Sequence, residues 1–189
     1  MIKRAFDITA AAFGLVVALP VMAALIWLIR RDSDGDAIFS QVRVGRDARP
    51  FVCYKLRTMR AGTADAPTHE VAAAQITRIG RVLRATKLDE LPQLYNVLIG
   101  DMSLVGPRPC LPSQTLLVAE RSARGVLRVR PGITGLAQIR DIDMSDPHRL
   151  AEVDAEYCRD QSFLGDLRIL FATFAGRGIN ADRIRDAAS

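Results

Sequence analysis

The chain has 189 residues, 49% of them hydrophobic, with a net charge of +5 and a pI of about 9.6. That length fits one domain able to bury a core of its own. Cys53, Cys110 and Cys158 lie far apart and form no CxxC pair, which argues against a disulfide framework or a zinc site and fits a reducing compartment. The positive balance suits anionic partners: nucleic acid, anionic lipid or phosphorylated substrates. Arginines outnumber lysines 23 to 3. The guanidinium grips phosphate bidentately, although GC-rich coding produces the same excess.

Ile8 to Ile29 is a run of 22 residues without a charge, long enough for a bilayer core of roughly 30 Å. No A-x-A site ends it, so it does not read as a signal peptide. Pro20 near its middle removes a backbone hydrogen bond and forces a bend. Lys3 and Arg4 precede the run and Arg30 and Arg31 follow it, so the positive-inside rule would keep both ends on the cytoplasmic side. Two arrangements stay open on these residues: a kinked span, and a helix that enters, bends at Pro20 and returns.

The cluster 32–36 is a turn. Residues 37–44 and 50–56 read as short strands around Gly45-Arg46-Asp47, followed by a small-residue loop over 61–67. Helical spacing predicts helices over 76–83, 88–99 and 113–124, the second closed by Gly100. Asp146-Pro147 is an N-cap followed by Pro at the first helical position, starting a helix to about Arg159. Phe163, Leu164, Leu167, Leu170, Phe171 and Phe174 form one apolar stripe. Such a stripe faces either a core or a membrane surface, and the apolar segment upstream favours the membrane.

The chemistry concentrates between Arg78 and Pro109. Arg78, Arg81, Arg84 and Lys87 lead into the acidic pair Asp89-Glu90. Thr86 with Asp89 has the spacing of a capping box, and acids in a first helical turn are favoured by the macrodipole alone. The surroundings point further. Gly106-Pro107-Arg108-Pro109 and Arg130-Pro131-Gly132 each fix an arginine in a stiff turn, the makings of a preorganised phosphate clamp. Lys55, Arg57 and Arg84 add to it. A carboxylate among such cations serves as a nucleophile on phosphorus or holds Mg²⁺ together with substrate oxygens.

The segments KRAFDI, YKLRTMR, ITRIGRVLRATKLDELPQLYNVLIGDMSLVGPRP and VRPGITGLAQ run in one order over most of the chain. In them the chain resembles the monotopic phosphoglycosyl transferases, the bacterial sugar transferase family that begins lipid-linked glycan assembly. The resemblance implies an α+β, mostly helical fold. Residues 1–31 would form a re-entrant membrane helix hairpin kinked at Pro20. Residues 32–189 would form a small cytoplasmic catalytic domain with surface amphipathic helices, at the bacterial inner membrane.

The same resemblance implies that Asp89 attacks the β-phosphate of a UDP-sugar, expels UMP and carries a covalent phosphosugar, which then passes to a polyprenyl phosphate. Glu90 completes the family's acidic dyad as a base or acceptor-positioning group, and Mg²⁺ bridges Asp89 and the diphosphate. Arg108 and Arg130 match arginines expected near phosphate, and Asp154 and Tyr157 match a downstream D-x-x-Y pattern. After Gln138 the chain reads Ile139-Arg140-Asp141-Ile142-Asp143, where many members carry an Asn-Gly-Arg-type sequence, so the sugar stays open. By the resemblance the chain would be of the small form, without the additional N-terminal bundle of larger members. Its exposed apolar surface would support a homodimer.

Two other readings use the same residues: a membrane-tethered basic module binding anionic lipid or nucleic acid, and a hydrolase using the same Asp and metal. Aromatics at 6% and the lack of a nucleic-acid-binding signature argue against nucleic acid as a partner.

Overall fold

The computed structural model describes residues 2–60, 62 and 75–176; the loop expected over 61–67 lies almost wholly outside them. Its elements run in the order α1 (Ile2–Asp32), β1 (Ile38–Val44), β2 (Pro50–Leu56), α2 (Arg78–Thr86), α3 (Gln93–Ile99), β3 (Ser103–Val105), α4 (Thr115–Ala123), β4 (Gly132–Thr134), α5 (Leu136–Ile139), α6 (Pro147–Arg159) and α7 (Phe163–Phe174). β1 and β2 form an antiparallel hairpin that pairs Ile38 with Leu56 and Val44 with Pro50. β3 and β4 form a short parallel pair. The result is a mixed, mainly helical architecture.

α1 is assigned as one helix of 31 residues, with Pro20 inside it. At 1.5 Å per residue it is about 46 Å long. Having no N–H, Pro20 leaves the Val16 carbonyl without its usual partner. Asp7, Ala11, Ala18 and Ile29 are buried and recur on one helical face. Phe13, Val16, Val17, Leu19 and Val21 are exposed.

The first turns of α1 are fastened by polar groups. Lys3 Nζ donates to the Val105 carbonyl at 3.0 Å and to Asp166 at 2.6 Å. Arg4 donates to the Val97 and Leu98 carbonyls at 2.7 and 3.1 Å. Asp7 accepts from Ser103 Oγ at 2.8 Å and Leu104 N at 3.1 Å. At the other end, Ile29 packs with Ala37, Leu56 and Leu83. Arg57 donates to the Ser33 and Asp34 carbonyls at 2.6 and 2.7 Å. Both ends of α1 therefore rest on the same domain.

The structure corrects the expected helix over 88–99. Lys87 adopts a left-handed conformation with φ 58° and closes α2. Leu88–Glu90 then forms a 3₁₀ turn, and α3 begins only at Gln93. The expected Thr86 cap is not formed. Thr86 ends α2, and its hydroxyl donates back to the Val82 carbonyl at 2.8 Å, the local bond that threonine offers inside a helix. Neither the 3₁₀ turn nor α3 has a side-chain cap, whereas the start of α2 is capped by Thr77, whose Oγ1 accepts from Gly80 N at 2.9 Å. α4 starts at Thr115 rather than Ser113. Asp146 caps α6 as expected, accepting from Arg149 N at 3.0 Å.

The β3–β4 pair brings the two proline-stiffened turns together. Ser103 pairs with Gly132 and Val105 with Thr134. A Cβ on Gly132 would lie 2.1 Å from Gly106 N, and one on Gly106 would lie 2.5 Å from the Arg130 carbonyl. Only glycine permits that approach. Gly132→Ala is therefore expected to force the strands apart and to lower the melting temperature of the detergent-solubilised chain by more than ordinary overpacking, which costs about 1–3 kcal/mol. An unchanged melting temperature would contradict the close packing.

Candidate active site

The site is assembled by a polar side chain inside an apolar helix. Asn96, fully buried on α3, accepts from Tyr54 N at 3.1 Å and donates to the Val52 carbonyl at 2.7 Å. It thus pairs with the free edge of β2 as a third strand would. That attachment sets the Leu88–Glu90 turn beside Lys55 on β2.

Asp89 and Glu90 are both buried, each 8% exposed. Lys55 Nζ donates to Glu90 Oε1 at 3.0 Å, and Arg108 donates to the same oxygen at 2.6 Å. A strand, a turn and the proline-flanked loop therefore meet at one carboxylate oxygen. Among the described residues, no donor bonds the Asp89 carboxylate. The charges of Lys55, Arg108 and Arg84 nevertheless act on it.

The two neighbouring acids titrate in opposite directions. Burial pushes Asp89 above the usual carboxylate range; the Glu90 charge adds to this, while Lys55, Arg108 and Arg84 pull against it. Burial also works to raise Glu90, but Arg108 and Lys55, as charges and as donors, outweigh it and hold Glu90 well below that range. The Arg108 guanidinium is correspondingly raised by Glu90. Such splitting within an acidic pair gives the two carboxyls different chemical capacities.

The remaining expected residues lie around this centre. Arg84 donates to Thr58 Oγ1 at 2.9 Å. Arg57 is turned onto the carbonyls after α1. Arg130 donates to the Gly100 carbonyl at 2.7 Å, at the end of α3, where Arg4 also caps the last carbonyls. Burial, Arg4 and Arg46 push the Arg130 pKa down. Tyr157 bonds the Val105 carbonyl and Asp166 at 3.0 and 2.8 Å, and burial pushes its phenol far above the usual range. Asp154 is paired with Arg121 at 2.6 Å. The structure thus brings Lys55, Arg108, Asp89 and Glu90 together with Arg84 close by, and sets Arg57, Arg130, Asp154 and Tyr157 in contacts of their own.

Reading the sequence missed Asn96 and Arg121. The signal for Asn96 was a lone amide within Leu94-Tyr95-Asn96-Val97-Leu98, a core position that a polar group occupies only when bonded. Arg121 follows Glu120 on a helix with ordinary surface composition and gave no such signal.

No group of three or more metal-binding side chains occurs among the described residues. One carboxylate without a protein donor, set beside cations, does not make an all-protein cage. It does fit Mg²⁺, which keeps waters and is commonly held by one or two carboxylates plus substrate phosphates.

Carboxyl-carbon NMR titration tests the electrostatics. Asp89 is expected to titrate above the ordinary value of about 3.9, and Glu90 to stay ionised well below its own. Lys55→Met removes a cation from both and is expected to raise both pKa values. An unshifted Glu90 in that variant would contradict the shared ion pair.

Residues 1–177 match the family model described as Bacterial sugar transferase. The chain is 41% identical over 176 residues to EpsL of Bacillus subtilis, named an uncharacterized sugar transferase, covering 92% of this chain and 85% of that one. It is 40% identical to a UDP-glucose:undecaprenyl-phosphate glucose-1-phosphate transferase of Caulobacter vibrioides, covering 90% and 67%. It is 37% identical to the undecaprenyl-phosphate galactose phosphotransferase of Salmonella typhimurium, covering 91% of this chain but 39% of that protein. The chain thus spans under half of the Salmonella relative.

Proposed function

The chain belongs to the bacterial sugar transferase family and is an enzyme of the phosphoglycosyl transferase kind, and on that premise we propose that it moves a phosphosugar from a UDP-sugar to a polyprenyl phosphate. The observation that carries the chemistry is the division between the two acids. Glu90 is committed to Lys55 and Arg108, and Asp89 has no protein donor among the described residues. Asp89 is therefore the carboxylate available to attack.

In the first step an Asp89 oxygen bonds to the β-phosphorus of the UDP-sugar. The bond from that phosphorus to the bridging oxygen breaks, and UMP leaves with the electron pair. In the second step an oxygen of polyprenyl phosphate attacks the same phosphorus. The bond to Asp89 breaks, giving polyprenyl diphosphosugar and the free carboxylate. Splitting the transfer lets one small site serve a soluble donor and a lipid acceptor in turn. Asp89, together with donor oxygens, would hold Mg²⁺, which would supply charge neutralisation for the diphosphate. Lys55 and Arg108 bind and orient the phosphates, the main demand in phosphoryl transfer. Burial disfavours the Asp89 anion, and the nearby charges of Lys55, Arg108 and Arg84 favour it.

The membrane arrangement rests on α1. A helix crossing the bilayer upright would place its ends on opposite faces, yet Lys3, Arg4 and Asp7 at one end and Ile29 and Asp32 at the other all contact the same domain. A re-entrant helix that buries Phe13, Val16, Val17, Leu19 and Val21 around Pro20 in one leaflet satisfies these contacts, with the domain on the cytoplasmic face. α7 extends the apolar surface with Leu164, Phe171 and Phe174, all exposed. Phe163 at its start meets Phe6 of α1 edge-on, with ring centroids 5.3 Å apart. Trp27 under Arg31, 3.9 Å from the ring centroid, is a pair suited to the headgroup level.

UMP release from a panel of UDP-sugars tests the reading, with and without polyprenyl phosphate, Mg²⁺ or chelator. Sustained turnover is expected only with acceptor and metal together, and Asp89→Asn is expected to lower it at least a hundredfold, on the order of the loss from removing a group central to the transition state. Full turnover without acceptor would show a hydrolase instead.

A further inference from the structure

The loop that carries Arg108 is held by its carbonyl groups. Pro107 and Pro109 supply no N–H, and four successive carbonyls find donors elsewhere. Pro107 O accepts from Gly132 N at 2.9 Å, and Cys110 O from Val44 N at 2.9 Å. Pro109 O accepts from Arg43 at 3.2 Å. The carbonyl of Arg108 itself accepts from Arg121 NH1 at 2.8 Å. Three of the four donors come from β1, or from the backbone at the start of β4. Arg43 also reaches the loop through its side chain, but from β1 itself; the fourth donor is the long side chain of Arg121 on α4, and such a side chain must itself be fixed before it can fix anything.

Asp154 on α6 fixes it. Arg121 and Asp154 are each 2% exposed. Nε and NH2 of Arg121 both reach Asp154 Oδ2, at 2.9 and 2.6 Å, which leaves NH1 aimed at the loop. The planar guanidinium makes this division possible, because one edge is spent on the carboxylate while the remaining nitrogen points elsewhere. A stabilising role alone does not account for the pair, since buried ion pairs contribute little net stability compared with apolar residues of similar volume.

We propose that Arg121, oriented by Asp154, is a positioning residue that sets the Arg108 guanidinium for the donor phosphates; this rests on the phosphoglycosyl transfer proposed above. The relay runs from α6 through α4 to the loop and ends at Glu90, 2.6 Å from Arg108. Both side chains are buried, so their effect on the donor would pass through Arg108. In this proposal Asp154, which matches the downstream D-x-x-Y pattern, acts through Arg121 and Arg108.

Two variants of the full-length, detergent-solubilised chain test the proposal. Arg121→Lys keeps a charge for Asp154 but loses the fork that reaches the loop. Arg121→Met with Asp154→Leu replaces the pair by apolar side chains and keeps the α4–α6 contact. In both, kcat/KM for the donor is expected to fall on the order of ten- to a hundredfold, the scale of a small misplacement of a reacting group. The donor KM is expected to rise, whereas a merely structural lesion would lower the active fraction and leave KM alone. Hydrogen exchange reads the positional part without turnover, with faster exchange expected in the peptide covering 106–111 and unchanged exchange in the body of α6. Folded variants with wild-type KM and kcat, or with wild-type exchange over 106–111, would overturn the proposal. A wild-type chain inactive on every UDP-sugar would refute the transferase reading separately, and exchange alone would then decide whether Arg121 holds the loop.

Discussion

Glu90 Oε1, shared by Lys55 and Arg108 at 3.0 and 2.6 Å, is the interaction on which the arrangement of the site depends. Three charges meet here, a buried carboxylate and two partly buried cations, and drawing them together carries a desolvation cost that offsets much of their attraction. The same contact holds two cations where a diphosphate would need them, with a third, Arg84, within electrostatic reach of Asp89. It also holds Glu90 ionised, while the neighbouring Asp89 receives no donor among the described residues. The opposite pKa directions of the pair follow from this geometry: the same burial acts on both acids, but only one receives the donors.

The rest of the fold can be understood as support for that meeting point. Asn96 attaches the acidic turn to the edge of β2. Gly106 and Gly132 let the Arg108 loop lie against the turn after Arg130. Asp7 and Lys3 fasten the first turns of α1 to β3, the strand that leads directly into Gly106-Pro107-Arg108. The apolar helix α1 and the loop that carries Arg108 are thus two ends of one short path. A lipid acceptor held at the depth of α1 would meet the site at a fixed height.

What was legible in the sequence was what local rules dictate. The Gly45-Arg46-Asp47 turn between two short strand-like runs marked the hairpin, Asp146-Pro147 marked the start of α6, and the spacing of Phe163 to Phe174 marked α7. The stretch after Lys87 was the local failure: left-handed Lys87 closes α2, Leu88–Glu90 forms a 3₁₀ turn where the helix over 88–99 was expected to begin, and a non-glycine residue gives no warning of the break. The three-residue strands β3 and β4 were too short to show a period, and their pairing is set by glycines distant in sequence. Within the site, the acidic pair stood out because unusual turns surrounded it. That Lys55 and Arg108 share a single oxygen of Glu90 was not legible, because it depends on how strand, turn and loop pack. Arg121 was hidden for the same reason, since its burial against α6 is a tertiary fact.

The most direct measurement is intact-protein and peptide mass spectrometry of the wild-type chain mixed rapidly with its UDP-sugar donor and Mg²⁺ in the absence of acceptor. The expected result is a phosphosugar adduct on the peptide containing Asp89, acid-stable enough to map, absent from Asp89→Asn and discharged by polyprenyl phosphate. Acceptor-dependent turnover with no adduct on any residue, or an adduct on Glu90 with Asp89 unmodified, would contradict the division of roles between the two acids.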